Sequence, residues 1–194
     1  MKKFFTYLVA TVFIFNVSFA QDVGETAPDF VLKDLNNQEY KLSANKGKVI
    51  LVFLVGNSCP FCIASSPAIK SKIISAFADN TNFQTIVIDT WDGSTSAVQN
   101  FKNTTNLTAI YLQKGSGVAS SWKINYDRLV VIDSEGKMAF KGTRAAGSDV
   151  DNAKTEIQNA LNDMSTSIND LETKEGFLLG QNYPNPFKEQ TKIK

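Results

Sequence analysis

The feature that most constrains the fold of this chain is a cysteine pair placed directly after an apolar run. Cys59 and Cys62 are the only cysteines among 194 residues and stand in the string Ser-Cys-Pro-Phe-Cys. Residues 49–55 are continuously apolar, which predicts a buried strand, and residues 60–77 have helical character. We therefore expect Cys59 at the N-terminus of a helix and Cys62 one turn inside it.

This position gives the two cysteines different chemical roles. The free N–H groups and the positive dipole end of a helix favour a thiolate, so Cys59 is the candidate nucleophile. Cys62 is close enough to resolve the mixed disulfide that Cys59 would form. Pro60 and Phe61, between them, are candidate substrate-binding residues, with Phe61 forming an apolar patch that faces the substrate.

Three other interpretations of the pair remain open. A structural disulfide is one, although so short a loop gains little chain entropy. Half a zinc site is another, but the sequence has no histidine and no further cysteine to complete four ligands. Chance is the third, and the strand-then-helix context argues against it. No metal and no organic cofactor is therefore expected.

The N-terminus predicts export. Lys2 and Lys3 precede an apolar stretch over 4–17 and small residues up to Ala20, the pattern of a secretory signal peptide over 1–20. The alternative is an uncleaved anchor, but the apolar stretch is shorter than the ~20 residues of a spanning helix. Cleavage would leave no membrane contact and place the mature chain where disulfides persist.

The rest of the chain predicts one α/β domain over 21–164. The hydrophobic share of 43% is that of a globular protein, and the net charge of +1 gives no reason to expect nucleic acid as a partner. Strands and helices alternate along the sequence. We predict strands over 30–32, 39–42, 49–55, 83–89, 107–112, 129–132 and 137–141, and helices from 60, from a Ser94 cap, and from 148.

Several motifs resemble the AhpC/TSA and TlpA-type redoxin families over about 23–164. They are Gly-Glu-Thr-Ala-Pro-Asp-Phe-Val-Leu at 24–32, Lys-Gly-Lys-Val-Ile-Leu-Val at 46–52, the Cys-Pro-Phe-Cys helix with Pro67, and Asp-Ser-Glu-Gly-Lys at 133–137. The resemblance implies a thioredoxin-like fold: a central mixed β-sheet flanked by helices, an N-terminal β-hairpin extension, and Cys59 exposed at a helix start. It also implies a thiol–disulfide oxidoreductase or a thiol peroxidase, with protein thiols and disulfides or peroxide as partners.

The chain departs from the family at the loop that faces the cysteines. Members of the thioredoxin and TlpA groups carry a cis-proline there, which helps to hold the substrate backbone. The matching place is near Tyr126 and Asp127, and no proline occurs between Pro67 and Pro184. The resemblance makes Tyr126 and Asp127 candidate substrate-binding residues, in a loop that we expect to be trans because a cis bond without proline costs ~3–4 kcal/mol.

The family's proton-handling carboxylates are missing from both of their usual places. Phe53 stands where thioredoxins have an Asp, Ser65 where TlpA-type proteins often have a Glu, and Ser58 replaces the usual Trp before the first cysteine. Asp89 or Asp92 could lie near the site, although ordinary strand-end or loop carboxylates are the better interpretation. Trp91 and Trp122 either line the cleft or pack in the core.

The peroxidase interpretation has gaps of its own. Gly56 occupies the place where peroxiredoxins have Thr or Ser. Arg128 is the candidate that would polarise peroxide, since Arg144 is the only other arginine. A thiol–disulfide oxidoreductase is thus the leading hypothesis, a thiol peroxidase the second, and a non-catalytic binding module with this fold the third.

The C-terminal part resembles a secretion signal. Residues 165–176 are polar and are interpreted as a linker. Residues 177–194, with Phe-Leu-Leu-Gly-Gln-Asn-Tyr-Pro-Asn-Pro-Phe, resemble the opening of the type IX secretion C-terminal sorting domain of Bacteroidota, in truncated form. A complete domain would make the type IX secretion machinery a partner. The expected location is the periplasm, the cell surface or the medium.

Overall fold

The fold is built on one mixed sheet of seven strands within the described residues. The computed structural model describes the backbone of residues 23–174 and the side chains of residues 23–164. The predicted signal peptide and sorting segment lie outside this part. The strand order is β2-β1-β5-β4-β3-β6-β7. The strands are β1 (Val31–Asp34), β2 (Glu39–Lys41), β3 (Val49–Val55), β4 (Phe83–Asp89), β5 (Ile110–Gln113), β6 (Arg128–Ile132) and β7 (Met138–Lys141).

Strand β3 is the centre of this sheet. It runs parallel to β4 and antiparallel to β6, and every one of its residues is buried. Side chains alternate across a strand, so Val49, Leu51, Phe53 and Val55 enter the core on one face, while the residues between them enter the core on the other. A strand covered on both faces must be apolar throughout, which explains the uninterrupted run in the sequence.

Helices cover both faces. α1 (Pro60–Ile69), α2 (Thr95–Thr105) and α4 (Ala146–Lys174) contribute to one core, and α3 (Ser116–Ser121) covers the opposite face. Trp122, at the end of α3, is buried and donates its indole N–H to the Pro28 carbonyl at 3.0 Å, so it packs in the core. None of the described helices has the length and apolarity needed to cross a bilayer.

The α/β prediction and the N-terminal hairpin are confirmed, with differences at element ends. α1 contains Pro67 and gives way after Ile69 to a π-helical turn over Lys70–Ile74. α4 begins at Ala146 rather than 148 and extends to Lys174. The backbone over 165–174 is thus helical, although its polar composition predicts a linker.

Candidate active site

The cysteine pair lies at the first turn of α1, beside the C-terminal ends of β3 and β4. Cys59 is the N-cap residue of α1, and Pro60 occupies the first helical position, where its missing N–H costs nothing. The Cys62 backbone N–H donates to Cys59 Sγ at 3.2 Å. The predicted placement of Cys59 at a helix start, with Cys62 one turn inside, is confirmed, and both residues are free thiols.

Cys62 is fully buried in the core between the sheet and the helices. Burial is the largest cause that raises the pKa of the Cys62 thiol above its usual value, and the neighbouring Cys59 and Asp127 raise it further. Cys62 therefore holds its proton firmly in the folded protein.

The expectation that Cys59 is exposed at the helix start is wrong. Only 1% of Cys59 is exposed, because its sulfur folds back over the first turn of α1 and packs into the core of that face. The turn before it is covered as well. The Cys59 N–H donates to the Gly56 carbonyl at 3.0 Å, and the Trp91 ring lies against Gly56 so closely that a Cβ there would be 2.3 Å from it.

Three exposed aromatic side chains lie on the loops and the helix turn next to Cys59 in the fold. Phe61 is 72% exposed beside exposed Pro60, which agrees with the predicted apolar patch. Trp91 and Tyr126, from two different loops, are also exposed and meet edge to face with ring centroids 4.9 Å apart. We call Phe61, Trp91 and Tyr126 the aromatic rim.

Asp89 organises the loops around the pair. It is completely buried and accepts hydrogen bonds from the Asn57 N–H at 3.1 Å, the Asn57 side-chain amide, the Trp91 N–H and the Gly93 N–H at 2.7 Å. These bonds tie the loop before Cys59 to the loop that carries Trp91. Asp92 instead accepts from the Ser116 N–H and hydroxyl at the start of α3. Both carboxylates hold loops, which is the interpretation that the sequence favours.

Asp127 is more deeply placed than a substrate-facing residue would be. It is 5% exposed, has a left-handed backbone with φ of 53°, and its Oδ1 accepts from the Ser65 hydroxyl at 3.3 Å. The Arg128 guanidinium donates to the Asp127 carbonyl at 2.8 Å. A role of Arg128 toward peroxide, and substrate binding by any of these residues, stay predictions.

The Ser65–Asp127 pair is the part of the site that the sequence analysis missed. Ser65 follows Cys62 by three residues, so the two share a helix face, and this spacing was the available signal. Asp127 comes from a loop 62 residues later. The resemblance places the Tyr126–Asp127 loop opposite the cysteines, but no local pattern in the sequence pairs Asp127 with Ser65.

The chain is similar in sequence to known thioredoxin-like proteins and thiol-disulfide oxidoreductases. Thioredoxin-like protein YneN of Bacillus subtilis is 27% identical over 114 residues, which are 58% of this chain and 66% of that protein. Thiol-disulfide oxidoreductase ResA of Geobacillus kaustophilus is 41% identical over 61 residues, 31% of this chain and 34% of that protein. The chain thus matches less than two thirds of the length of each of these two relatives.

A solved structure shows the same fold. The solution structure of a candidate protein disulfide isomerase from Bacteroides thetaiotaomicron superposes with a TM-score of 0.65 at 26% identity, covering 73% of this chain and 91% of that one. Residues 22–157 match the model of the Redoxin family. With its thioredoxin-like sheet and a Cys-X-X-Cys pair at the start of α1, this chain belongs to the Redoxin family.

Proposed function

We propose that this protein is an exported thiol–disulfide oxidoreductase in which Cys59 is the nucleophile and Cys62 the resolving thiol. The observation that carries the proposal is the N-cap position of Cys59, whose sulfur accepts the Cys62 N–H at 3.2 Å. That hydrogen bond and the positive end of α1 both favour negative charge on the sulfur. ResA of Geobacillus kaustophilus and the candidate Bacteroides protein disulfide isomerase are named for the same class of activity.

The reaction exchanges disulfides in two steps. The Cys59 thiolate attacks one sulfur of a substrate disulfide, forms a mixed disulfide and releases a substrate thiolate, which takes up a proton. Cys62 then loses its proton and attacks Cys59 Sγ. The Cys59–Cys62 disulfide forms, the second substrate thiolate leaves, and two electrons have passed to the substrate. The reverse sequence oxidises a substrate dithiol.

Cysteine variants test this assignment. With insulin as the disulfide substrate and dithiothreitol as reductant, Cys59→Ser should lose the catalysed rate. Cys62→Ser should accumulate a mixed disulfide that mass spectrometry detects and dithiothreitol removes. Ser58→Ala, at the exposed preceding residue, is the matched control and should keep the wild-type rate. Full activity in Cys59→Ser would overturn the proposal.

The aromatic rim supports protein substrates with apolar residues near their disulfide. Phe61 is the most exposed rim residue, and its ring can pack on such a segment. Phe61→Ala should raise KM several-fold for an unfolded protein disulfide and leave KM for a small soluble disulfide unchanged. An equal change for both substrates would show that Phe61 does not contact substrate.

Export rests on residues outside the described part. The basic residues Lys2 and Lys3 and the apolar stretch over 4–17 support cleavage after Ala20. The segment 177–194 supports recognition by the type IX secretion machinery. Expression in a Bacteroidota host, followed by fractionation and N-terminal sequencing, should find chains that begin at Gln21 outside the cytoplasm. Full-length chains in the cytoplasm would contradict export.

A further inference from the structure

The resolving step needs a proton acceptor inside the protein. Cys62 must lose its proton before it can attack Cys59 Sγ, because only a thiolate is a competent nucleophile. Cys62 has no exposed surface, and burial raises its thiol pKa. Water therefore has no direct route to that proton, and a protein group near Cys62 is the natural acceptor.

Ser65 connects the helix of Cys62 to a carboxylate. Its Oγ accepts the Gly147 N–H at 3.1 Å and lies 3.3 Å from Asp127 Oδ1. A backbone N–H can only donate, so the hydroxyl proton of Ser65 is left to point at Asp127. Gly147 permits this approach, because a Cβ there would be 3.1 Å from Ser65 Oγ. The arrangement fixes Asp127 Oδ1 as an acceptor facing α1.

The backbone around Asp127 is held in an uncommon conformation. Its positive φ is adopted by few residues other than glycine, and such conformations persist where neighbouring contacts hold them. Here the Asp127 carbonyl accepts from the Ala146 N–H at 3.0 Å and from Arg128. The first turn of α4 therefore lies beside Asp127 and helps to hold this backbone conformation.

The other charged groups near the site are engaged elsewhere. Within the described residues the buried carboxylates are Asp89, Asp127 and Asp149. The Asp89 carboxylate accepts hydrogen bonds from the Asn57 and Gly93 N–H groups. Asp149 forms an ion pair with Arg144, with 2.8 Å between Oδ1 and Nε. Among these carboxylates, Asp127 is the one bonded to Ser65, three residues after Cys62 on the same face of α1, and its charge is one of the causes that raise the Cys62 pKa.

We propose that Asp127 is the proton acceptor for Cys62 when Cys62 resolves the mixed disulfide, with Ser65 as its positioning residue. This inference rests on the proposed oxidoreductase function. The Cys62 proton moves to the Asp127 carboxylate, the Cys62 sulfur bonds to Cys59 Sγ, and the bond from Cys59 to the substrate breaks. The departing substrate sulfur takes the electron pair. When the enzyme acts in reverse, Asp127 returns the proton to Cys62.

A chromogenic aromatic disulfide separates the two steps in a single turnover. The reduced protein should release one coloured thiolate when Cys59 attacks and a second when Cys62 resolves. Asp127→Asn should leave the first phase within about twofold and slow the second by about 100-fold, the low end of general-base effects. The second phase of the variant should rise tenfold per pH unit, because without the carboxylate only the small ionised fraction of Cys62 can attack.

Two further variants complete the test. Ser65→Ala keeps the carboxylate and should slow the second phase by a smaller factor, so it also reports if Asp127→Asn does not fold. Asp79→Asn makes the same charge change at an exposed residue beyond the far end of α1 and should match wild type. An unchanged or faster second phase in Asp127→Asn, or an unaltered pH profile, would overturn the inference. Absence of both phases in wild type would instead refute the oxidoreductase function.

Discussion

Two loops each place a buried aspartate beside the cysteine pair, and their hydrogen bonds differ. Asp89, after β4, accepts from four nitrogen donors supplied by Asn57, Trp91 and Gly93. The carboxylate of Asp127, before β6, accepts from one hydroxyl, that of Ser65, within the described residues. Protonation of Asp89 would weaken four charge-assisted hydrogen bonds, whereas protonation of Asp127 would weaken the single one from Ser65. The number of donors, and not burial, separates the structural carboxylate from the one suited to proton transfer.

The most direct way to break this comparison is Asp89→Asn. An amide would turn an N–H toward the donors that now face a carboxylate oxygen. We expect a loss of about 3 kcal/mol in the free energy of unfolding, the upper range for hydrogen bonds to a charged group. Urea denaturation measures it, with Asp79→Asn as the control expected to change stability by less than about 0.5 kcal/mol. Equal stability of the two variants would refute the structural role of Asp89.

Gly56→Ala tests the packing that the Asp89 loops create. The new methyl would lie 2.3 Å from the Trp91 ring, so the ring must move away from the turn before Cys59. Overpacking of this kind costs about 1–3 kcal/mol, and the fluorescence of Trp91 should change as its contact with Tyr126 is lost. Gly117→Ala, in α3, has open space and should be neutral or slightly stabilising. Identical behaviour of both variants would contradict the close Trp91–Gly56 contact.

The pH dependence of the free energy of unfolding tests the environment of Cys62, the thiol beside Asp127. The folded protein raises the Cys62 thiol pKa above its usual 9.0, whereas the unfolded chain does not. Stability from this group is present below pH 9 and is lost as pH rises above it, because only the unfolded chain gives up the proton. Between pH 9 and 10 the reduced protein should lose about 1 kcal/mol more than Cys62→Ala does. A parallel decline in both would show that Cys62 titrates normally.

The smallest expected effect on stability is that of Asp127→Asn. Asparagine retains an oxygen that can accept from Ser65, so we expect a loss of about 1 kcal/mol or less in the free energy of unfolding. Compared with Asp89→Asn, this variant should be the more stable of the two and the slower in the resolving step. A destabilisation as large as that of Asp89→Asn would show that Asp127, like Asp89, mainly holds the structure together.

The parts of the molecule that sequence predicted well are those set by local pattern. β3 and β4 occupy the predicted residues, because β3, buried on both faces, is apolar throughout and β4 alternates before its apolar centre. The Ser94 cap of α2 follows from residue type, and the position of Cys59 at the start of α1 follows from the strand-then-helix pattern. β5 begins at Ile110 rather than 107, since strand ends depend on pairing with β4 and β1.

The parts that sequence did not predict depend on contacts between distant elements. Cys59 is buried because it packs into the core beside α1. The turn before it, at Gly56, is covered by Trp91 from the loop after β4. The Ser65–Asp127 contact requires α1, the loop before β6 and the first turn of α4 to meet. No local periodicity in the sequence encodes a contact between these three elements. The sequence pattern therefore does not decide whether these residues are exposed or buried.

Because Cys59 is buried, its reactivity toward a reagent depends first on whether that reagent can reach the sulfur. An alkylating agent or oxidant that meets the folded protein finds only 1% of Cys59 exposed. The packing around Cys59 must therefore open before the reduction potential of the reagent matters. A thiol protected in this way can remain reduced amid small oxidants and still respond to a partner able to displace its cover.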